Sequence, residues 1–448
     1  MSVTGRLRAM AGDAGVRATA AARLIAMGGA PVTLYLAATR LPPGAQGYYF
    51  VAVNVVALAQ LFELGLGTIV VQFASHEWPR LRWGPGGGLG GDPTAQDAVR
   101  ALLLAALRWF GLAAVALFAI AGVGGALLFG RGFENVLGFA VLWLGIVALT
   151  GLYLLLVPFV CVAEGCGDVA AVQKMRGAQA LVILLALWTG LAQHSPLFAA
   201  WLAAAGQFTV AAWWIATRHP QLLKAPKHLP AHLLDRVAGL PARYGAEQKR
   251  SAQLWIALWL APQLLAPMLL RLRDGNEAGK LGVTLAVAIA PLTIGLAWLH
   301  GRYPAFGALV AEGRREEFDA LVRRAFGEAT AVFMACAVML TGLVMLLPYV
   351  LPAFAFRFLP LTSLALLFAG SFAALALQAM AGWLRAFRDE AIAVPIVGGT
   401  VVVVLASGAG AMLGGARTMC LAYAVASLGV AVPMGLAHFL RVRRERLS

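Results

Sequence analysis

The chain has 448 residues, of which 61% are hydrophobic and 12% are charged, and its mean hydropathy is +0.81. Because a soluble domain is about half apolar and about a quarter charged, this composition excludes a soluble globular protein and predicts an all-α polytopic membrane protein. Membrane topology and attraction to anionic lipid headgroups account for the net charge of +15, so no nucleic-acid partner is expected.

About twelve apolar segments are long enough to cross a membrane, which takes about twenty apolar residues in a helix. The predicted spans of the first half are residues 23–38, 48–73, 102–129, 136–163, 178–192 and 197–217. Those of the second half are residues 254–270, 281–300, 330–347, 361–382, 393–412 and 419–440. Each is predicted to be helical, because a helix satisfies its backbone groups internally in lipid. The second segment is long and the fifth is short, so a tilt or a break is expected there.

Positive charge alternates between the connections that join these spans. Of the 35 Lys and Arg residues, 27 fall at the two termini and in every second connection, and 7 fall in the connections on the opposite side. Arg108 is the remaining one: it lies either inside the third span or at the boundary, with the helix entering the bilayer at Trp109, and we favour the boundary. Because positive residues accumulate on the cytoplasmic side of a membrane, both termini are predicted to be cytoplasmic.

The longest polar connection divides the spans into two sets of six. Residues 219–250 contain four prolines and are predicted to form a cytoplasmic linker between an N-terminal lobe, residues 1–218, and a C-terminal lobe, residues 251–448. The glycine-rich stretch at residues 83–91 lacks the Gly-Lys-Ser/Thr ending of a phosphate loop, so a flexible linker is predicted there. Residues 301–326 mix charged with apolar positions and predict an amphipathic cytoplasmic helix or pair of helices.

The two halves contain a faint internal repeat at their first hairpins. Residues 39–47 (TRLPPGAQG) and residues 271–279 (RLRDGNEAG) both run from an apolar helix through an arginine to two spaced glycines. Since each half has an even number of spans, both halves start on the same side. This indicates parallel repeats about an axis along the membrane normal, as found in secondary transporters.

Several short motifs carry a resemblance to a known family. They are LPPGAQGYYF at residues 41–50, ELGLG at 63–67 with QFASHE at 72–77, AEGCG at 163–167, YP at 303–304 and AEG at 311–313. With them the chain resembles the polysaccharide-type flippases of the multidrug/oligosaccharidyl-lipid/polysaccharide (MOP) exporter superfamily. The resemblance implies two six-helix bundles facing each other in a V, and alternating access. It also implies export of an undecaprenyl-diphosphate-linked oligosaccharide across the bacterial inner membrane, for surface polysaccharide biosynthesis.

Polar residues inside the second span are the first candidates for substrate contact, because a charge within a span is costly and usually faces a water-filled cavity. Asn54, Gln60 and Glu63 lie roughly on one face of that helix. They are interpreted either as lining a cavity or, for Glu63, as capping a helix broken at the following glycines. In the seventh span, Gln263 lies beside prolines that interrupt the helix, which is typical of a gating element or of a static kink.

Four arginines near helix ends are the remaining candidates: Arg23, Arg40, Arg271 and Arg273. The planar fork of an arginine suits a diphosphate, and snorkelling to headgroups is the alternative for each. Arg271 and Arg273 are notable because positive charge is scarce on that side. The neighbouring Asp274 and Glu277 could simply neutralise them.

The function predicted from these observations is flipping of a lipid-linked oligosaccharide, with H⁺ or Na⁺ as a possible coupling ion and membrane lipids as the other partners. A drug/cation antiporter of the same superfamily is the alternative. Since that branch uses membrane carboxylates, the near absence of carboxylates deep in the spans favours an anionic substrate. No nucleophile–base pair and no cysteine or histidine cluster is evident in the sequence, so no enzyme activity, cofactor or metal is expected. Short outer connections also argue against a membrane polymerase or ligase.

Overall fold

The computed structural model describes residues 28–63, 66–126, 136–224, 240–300, 302–387 and 392–447. It is 90% helical, so the predicted all-α polytopic membrane fold is confirmed. The chain divides into two compact units: unit 1 is Met1–Leu41 with Ala52–Ala246, and unit 2 is Pro42–Val51 with Glu247–Ser448.

Unit 1 consists of long helices and one small β-hairpin. In chain order its helices are α1 at residues 28–40, most of α2 (Pro43–Glu63), α3 (Leu66–Glu77), α4 (Pro93–Leu117), α5 (Val136–Gly165), α6 (Val169–Ala192) and α7 (Pro196–Arg218). The hairpin pairs β1 (Leu81–Trp83) with β2 (Leu89–Gly91) in antiparallel register, Arg82 opposite Gly90. Helix α6 packs against α7, and α5 packs against both α4 and α7.

Unit 2 is helical throughout its described part. Its helices are α8 (Leu240–Leu272), α9 (Gly275–His300), α10 (Tyr303–Ala311), α11 (Arg315–Val350), α12 (Pro352–Ala355), α13 (Leu361–Ala386), α14 (Ala393–Ala426) and α15 (Val432–Leu447). The part of α8 before Glu247 belongs to unit 1. Helix α9 packs against α11 and α13, and α13 packs against α14. A π-helical turn, Ser427–Ala431, joins α14 to α15.

Eight helices in the described part of the chain are long and apolar enough to cross a membrane. They cover nine of the predicted spans, because one of the eight, Ala393–Glu445, is the 53-residue run of α14, the π-helical turn and α15 and contains both the eleventh and the twelfth. The seventh corresponds to the shorter apolar helix Ile256–Leu272. The chain is therefore a multi-pass membrane protein.

Several helices begin earlier than their apolar segments. Helix α4 starts at Pro93, where Asp92 caps it by accepting a hydrogen bond from the N–H of Thr94. Arg108 therefore lies well inside α4, and the point where this helix enters the bilayer stays a prediction. Helix α6 also starts earlier, at Val169, so the fifth span is not short. Polar residues at helix ends carry a helix into the aqueous layer, and hydropathy alone does not register that extension.

The predicted second span is two helices. Helix α2 ends at Glu63 and α3 begins at Leu66, and the two residues between them lie outside the described part of the chain. The expected break at the Leu-Gly-Leu-Gly sequence of residues 64–67 stays a prediction.

Two connections differ from their predicted form. The glycine-rich stretch at residues 83–91 is not a flexible linker: it contains β2 and a 3₁₀ turn, Pro85–Gly87, and it closes the β-hairpin. Residues 303–311 form the separate helix α10, but from Arg315 the second amphipathic stretch continues without interruption into the ninth span.

The predicted lobe boundaries remain a prediction. Residues 225–239 of the predicted linker lie outside the described part of the chain, and its last residues form the start of α8. Grouping by contacts places Pro42–Val51, at the end of the first hairpin, with unit 2.

Candidate functional site

The candidate residues from the first half lie on α1 and α2, apart from Arg23, which is outside the described part of the chain. Arg40 ends α1 with an exposed side chain, and its carbonyl accepts a hydrogen bond from Nδ1 of His194. Asn54 is half-buried in α2. Gln60 and Glu63 belong to the same helix, and only their backbone is described.

Gln263 is half-buried in α8, next to Pro262 and four residues before Pro267. Proline has no N–H, so Pro267 cannot donate the helical hydrogen bond that the carbonyl of Gln263 would otherwise accept. The helix nevertheless continues to Leu272. The predicted interruption of the seventh span is thus a missing backbone hydrogen bond within a helix that remains continuous.

Arg271 and Arg273, predicted as a pair, have different environments. Nε of Arg273 donates to the carbonyl of Ala411 at 2.8 Å, and its Nη2 donates to the carbonyl of Met412 at 2.7 Å. These carbonyls close the first half of α14, which is kinked at Gly414 and Gly415. Arg271 is exposed, and its side chain makes no hydrogen bond or ion pair with any residue that the structure describes.

The neighbouring carboxylates do not pair with these arginines. Asp274 accepts a hydrogen bond from the N–H of Glu277 at 2.8 Å, at the start of α9. Glu277 in turn accepts one from the N–H of Ala416 at 2.8 Å, at the start of the second half of α14. Because the first N–H groups of a helix have no partner within it, both carboxylates act as helix caps. Neutralisation of Arg271 and Arg273 by these carboxylates stays a prediction.

An open cavity lies at the same end of unit 2, beside the kink of α14. Its volume is about 640 Å³, and we call it the hairpin-end cavity. It is lined by Glu277, Lys280, Val344, Met345, Pro348, Tyr349, Ala355, Phe356, Phe358, Leu359, Pro360, Leu361, Gly414, Ala416 and Arg417. The lining is apolar except for Glu277, Lys280 and Arg417. The hydropathy pattern does not predict this cavity, because its lining residues come from three connections that are far apart in the sequence.

A second polar cluster, in unit 1, was not predicted from the sequence. Asp168, in the turn after α5, binds Nε of Arg218 at 2.7 Å and Nε2 of His219 at 3.0 Å. The His219 ring is buried against Trp83 of the β-hairpin, with 4.3 Å between ring centroids. The only sequence signal was the dipeptide Arg218-His219 at the end of an apolar segment, which does not identify its partner.

Burial and charge act in opposite directions in this cluster. Burial lowers the pKa of His219, and the hydrogen bond and charge of Asp168 offset only part of that shift. Burial raises the pKa of Asp168, but the hydrogen bonds and charges of Arg218 and His219 outweigh it and hold that pKa below its usual value. At neutral pH the cluster therefore contains a neutral imidazole beside a charged Arg–Asp pair. It ties the turn after α5 to the end of α7.

No group of three His, Cys, Asp or Glu residues that could hold a metal ion occurs among the described residues.

Comparison with solved structures places the fold among MOP transporters. The chain is similar to an inward-facing multidrug resistance MATE family transporter of the MOP superfamily, with a TM-score of 0.64, 12% identity, and 93% and 95% of the two chains covered. It is also similar to the lipid II flippase MurJ in an inward closed conformation, with a TM-score of 0.58, 10% identity, and 93% and 87% covered. A third similar structure is a MOP superfamily transporter from Pyrococcus furiosus described by the reverse polarity of its binding pocket, with a TM-score of 0.53, 12% identity, and 96% and 95% covered. No protein-family model and no curated protein sequence matches the chain.

Proposed function

We propose that the chain is a secondary transporter of the bacterial inner membrane. In this proposal it flips an undecaprenyl-diphosphate-linked oligosaccharide from the inner to the outer leaflet by alternating access, for surface polysaccharide biosynthesis. The MOP transporter fold supports the transporter class, and the similarity to a lipid II flippase is compatible with a lipid-linked substrate.

The observation that favours an anionic substrate is that the carboxylates of the spans lie near helix ends or already have partners. In the eight described spans, the acidic side chains are near helix ends or have cationic or backbone partners. Examples are Glu164 with Arg176 at 2.8 Å, and Glu328 with Arg302 at 2.9 Å and Arg324 at 2.8 Å. An antiporter that exchanges a cationic drug for H⁺ or Na⁺ needs a carboxylate that changes partners during the cycle. These carboxylates instead stabilise helix ends and connections.

The drug/cation antiporter is the second candidate, because the MATE structure has a higher TM-score than MurJ, 0.64 against 0.58. Glu63 is the residue on which this alternative depends. In the first half of the chain it is the acidic residue that the sequence places within a predicted span, and a carboxylate there would suit a coupling ion or a cationic drug.

A transport assay on the purified protein in liposomes separates the two candidates. The first arm uses an undecaprenyl-diphosphate oligosaccharide with a fluorescent sugar, and follows how much of it becomes accessible to a membrane-impermeant quencher. The second arm uses ethidium under a pH or sodium gradient. The proposal expects protein-dependent scrambling in the first arm and no gradient-driven ethidium movement in the second.

The contrary result is equally defined. Gradient-driven ethidium transport that is lost in Glu63→Gln, without movement of the glycolipid, would replace the flippase proposal by the antiporter. A matched control is Glu316→Gln, since Glu316 is an exposed carboxylate in the first turn of α11.

A further inference from the structure

The hairpin-end cavity is surrounded by positive charge that has few internal partners. The connections at this end of unit 2 carry five cations, Arg271, Arg273, Lys280, Arg357 and Arg417, against two carboxylates, Asp274 and Glu277. The side that holds this end is the one predicted to be outer, where positive residues are otherwise scarce. Topology therefore does not explain the excess.

Two of these cations line the cavity itself and are unpaired. Lys280 is half-buried and Arg417 is exposed, and neither side chain makes a hydrogen bond or ion pair with any residue that the structure describes. The carboxylate of Glu277 also lines the cavity, but it accepts the N–H of Ala416. The cavity thus presents two charged donors without a protein acceptor, beside one carboxylate that is already engaged.

A third cation is a sequence neighbour of two lining residues. Arg357 is between the lining residues Phe356 and Phe358, and its Nη1 is buried without a hydrogen-bond partner among the described residues. Burial lowers the pKa of Arg357. The ordinary pKa of a guanidinium is so high that the group stays charged. Its charge adds to the positive potential at this end of the unit.

The apolar part of the cavity continues onto an exposed apolar surface of α11. Val344, Met345 and Tyr349 line it from α11, and the side chains of Met345 and Tyr349 are 53% and 86% exposed. Phe356 adds an aromatic ring that is 77% exposed. Only 11% of the apolar window of α11 is buried inside the protein. An occupant would therefore have an anionic group at Lys280 and Arg417 and an apolar chain along α11.

We propose that the hairpin-end cavity binds an anionic phospholipid of the surrounding membrane, with the lipid phosphate at Lys280 and Arg417. The volume lies within the range of about 300–1,000 Å³ that is typical of small-molecule sites. Arginine and lysine both bind phosphate oxygens through charge-assisted hydrogen bonds. An exposed tyrosine ring such as that of Tyr349 is typical of the region where headgroups meet acyl chains. This site is separate from the transport proposal and does not depend on it.

Native mass spectrometry of the full-length protein, released from nanodiscs of phosphatidylglycerol and phosphatidylcholine, tests the site. The wild type is expected to retain phosphatidylglycerol in preference to phosphatidylcholine. Lys280→Gln with Arg417→Gln should weaken that retention about 30-fold, since each cation near an anionic headgroup contributes about a factor of five. The matched control, Arg82→Gln with Arg444→Gln, removes the same charge from exposed residues elsewhere and should behave as the wild type.

A second variant tests the cavity rather than its charge. Ala355→Trp would fill the space while keeping both cations, and it should also lose phosphatidylglycerol; its melting temperature shows whether it is folded. Equal retention of the two lipids by the wild type, or unchanged retention in the Lys280/Arg417 variant, would overturn the proposal. An equal loss in the charge-matched control would overturn it too, because general surface charge would then explain the binding. Retention of added undecaprenyl diphosphate in place of phosphatidylglycerol would assign the cavity to a different lipid.

Discussion

A Cβ atom on Gly47 would lie 2.7 Å from the carbonyl oxygen of Gly275. These glycines belong to the two segments, residues 39–47 and 271–279, that the sequence identified as a faint repeat. In the structure the repeated segments meet: the start of α2, which is part of unit 2, packs on the start of α9. Gly47, Gly275 and Gly279 therefore have a structural role, because a side chain at any of them would keep the two helix starts apart.

Substitution at this contact should destabilise unit 2. In Gly275→Ala the new methyl group would lie 2.2 Å from the carbonyl oxygen of Gly44, and overpacking against a backbone atom costs about 1–3 kcal/mol. A lower melting temperature of the purified protein is expected by differential scanning fluorimetry. Gly44→Ala is the control in the same contact, since a Cβ on Gly44 meets no atom within 4 Å. Equal melting temperatures for the two variants would show that the close approach is not needed.

The kink of α14 provides a second prediction. Gly415 has φ 71° and ψ −149°, a conformation that side chains other than glycine rarely adopt. In Gly415→Ala the Cβ would also lie 2.4 Å from Oε2 of Glu277, so the variant should lose about 1–3 kcal/mol of stability. Thermal unfolding measures it. Gly342→Ala, in open space on α11, should unfold as the wild type, and a Gly415→Ala protein as stable as that control would contradict the role of the kink.

The two arginines of the second hairpin should separate stability from transport. Arg273→Gln removes two hydrogen bonds to the carbonyls of Ala411 and Met412 and is expected to cost about 1–2 kcal/mol, because both bonds involve a charged donor but are partly exposed. Arg271→Gln should leave the melting temperature unchanged and reduce glycolipid movement in liposomes, if the free cation attracts the diphosphate. Unchanged transport by a stable Arg271→Gln protein would remove Arg271 from the substrate path. Reversing both charges at once would mix these effects.

The cluster at the end of α7 predicts a pH dependence. Burial holds the pKa of His219 below its ordinary value of 6.5, so the unfolded chain binds this proton more readily than the folded protein. The stabilisation from His219 is therefore complete above about pH 6.5 and is lost as the pH falls below it. The difference in melting temperature between the wild type and His219→Gln should be larger at pH 7.5 than at pH 5.5.

A control and a contrary outcome accompany this test. His76 is exposed, and His76→Gln should follow the wild type across the same pH range. A difference between wild type and His219→Gln that stays constant from pH 7.5 to 5.5 would show that the imidazole does not change its charge in this interval.

Hydropathy predicted most of the membrane-spanning helices, because a span must be apolar along its whole length whatever surrounds it. It failed where polar residues lengthen a helix, as at the start of α4 before Arg108, since those residues lie beyond the apolar window. It also missed the β-hairpin at residues 81–91. The glycines there allow the hairpin to pack against the end of α7, and a Cβ on Gly87 would lie 2.1 Å from the carbonyl oxygen of Arg218.

The roles of the charged residues required the tertiary structure. From the sequence, Arg271 and Arg273 were equivalent, and Asp274 and Glu277 were possible counter-ions. The two arginines are two residues apart and have different environments. Arg273 donates to the carbonyls of Ala411 and Met412, before the kink of α14, and Arg271 does not. Glu277 finds its partner, the N–H of Ala416, 139 residues away.

By itself, the sequence determined that this chain is a helical membrane protein with alternating positive connections, because lipid imposes a local requirement on every span. Only the tertiary structure decided which of its cations are engaged in holding helix ends and which remain unpaired around a cavity. That distinction depends on connections far apart in the chain meeting at one end of unit 2, and no local pattern of residues records such a meeting.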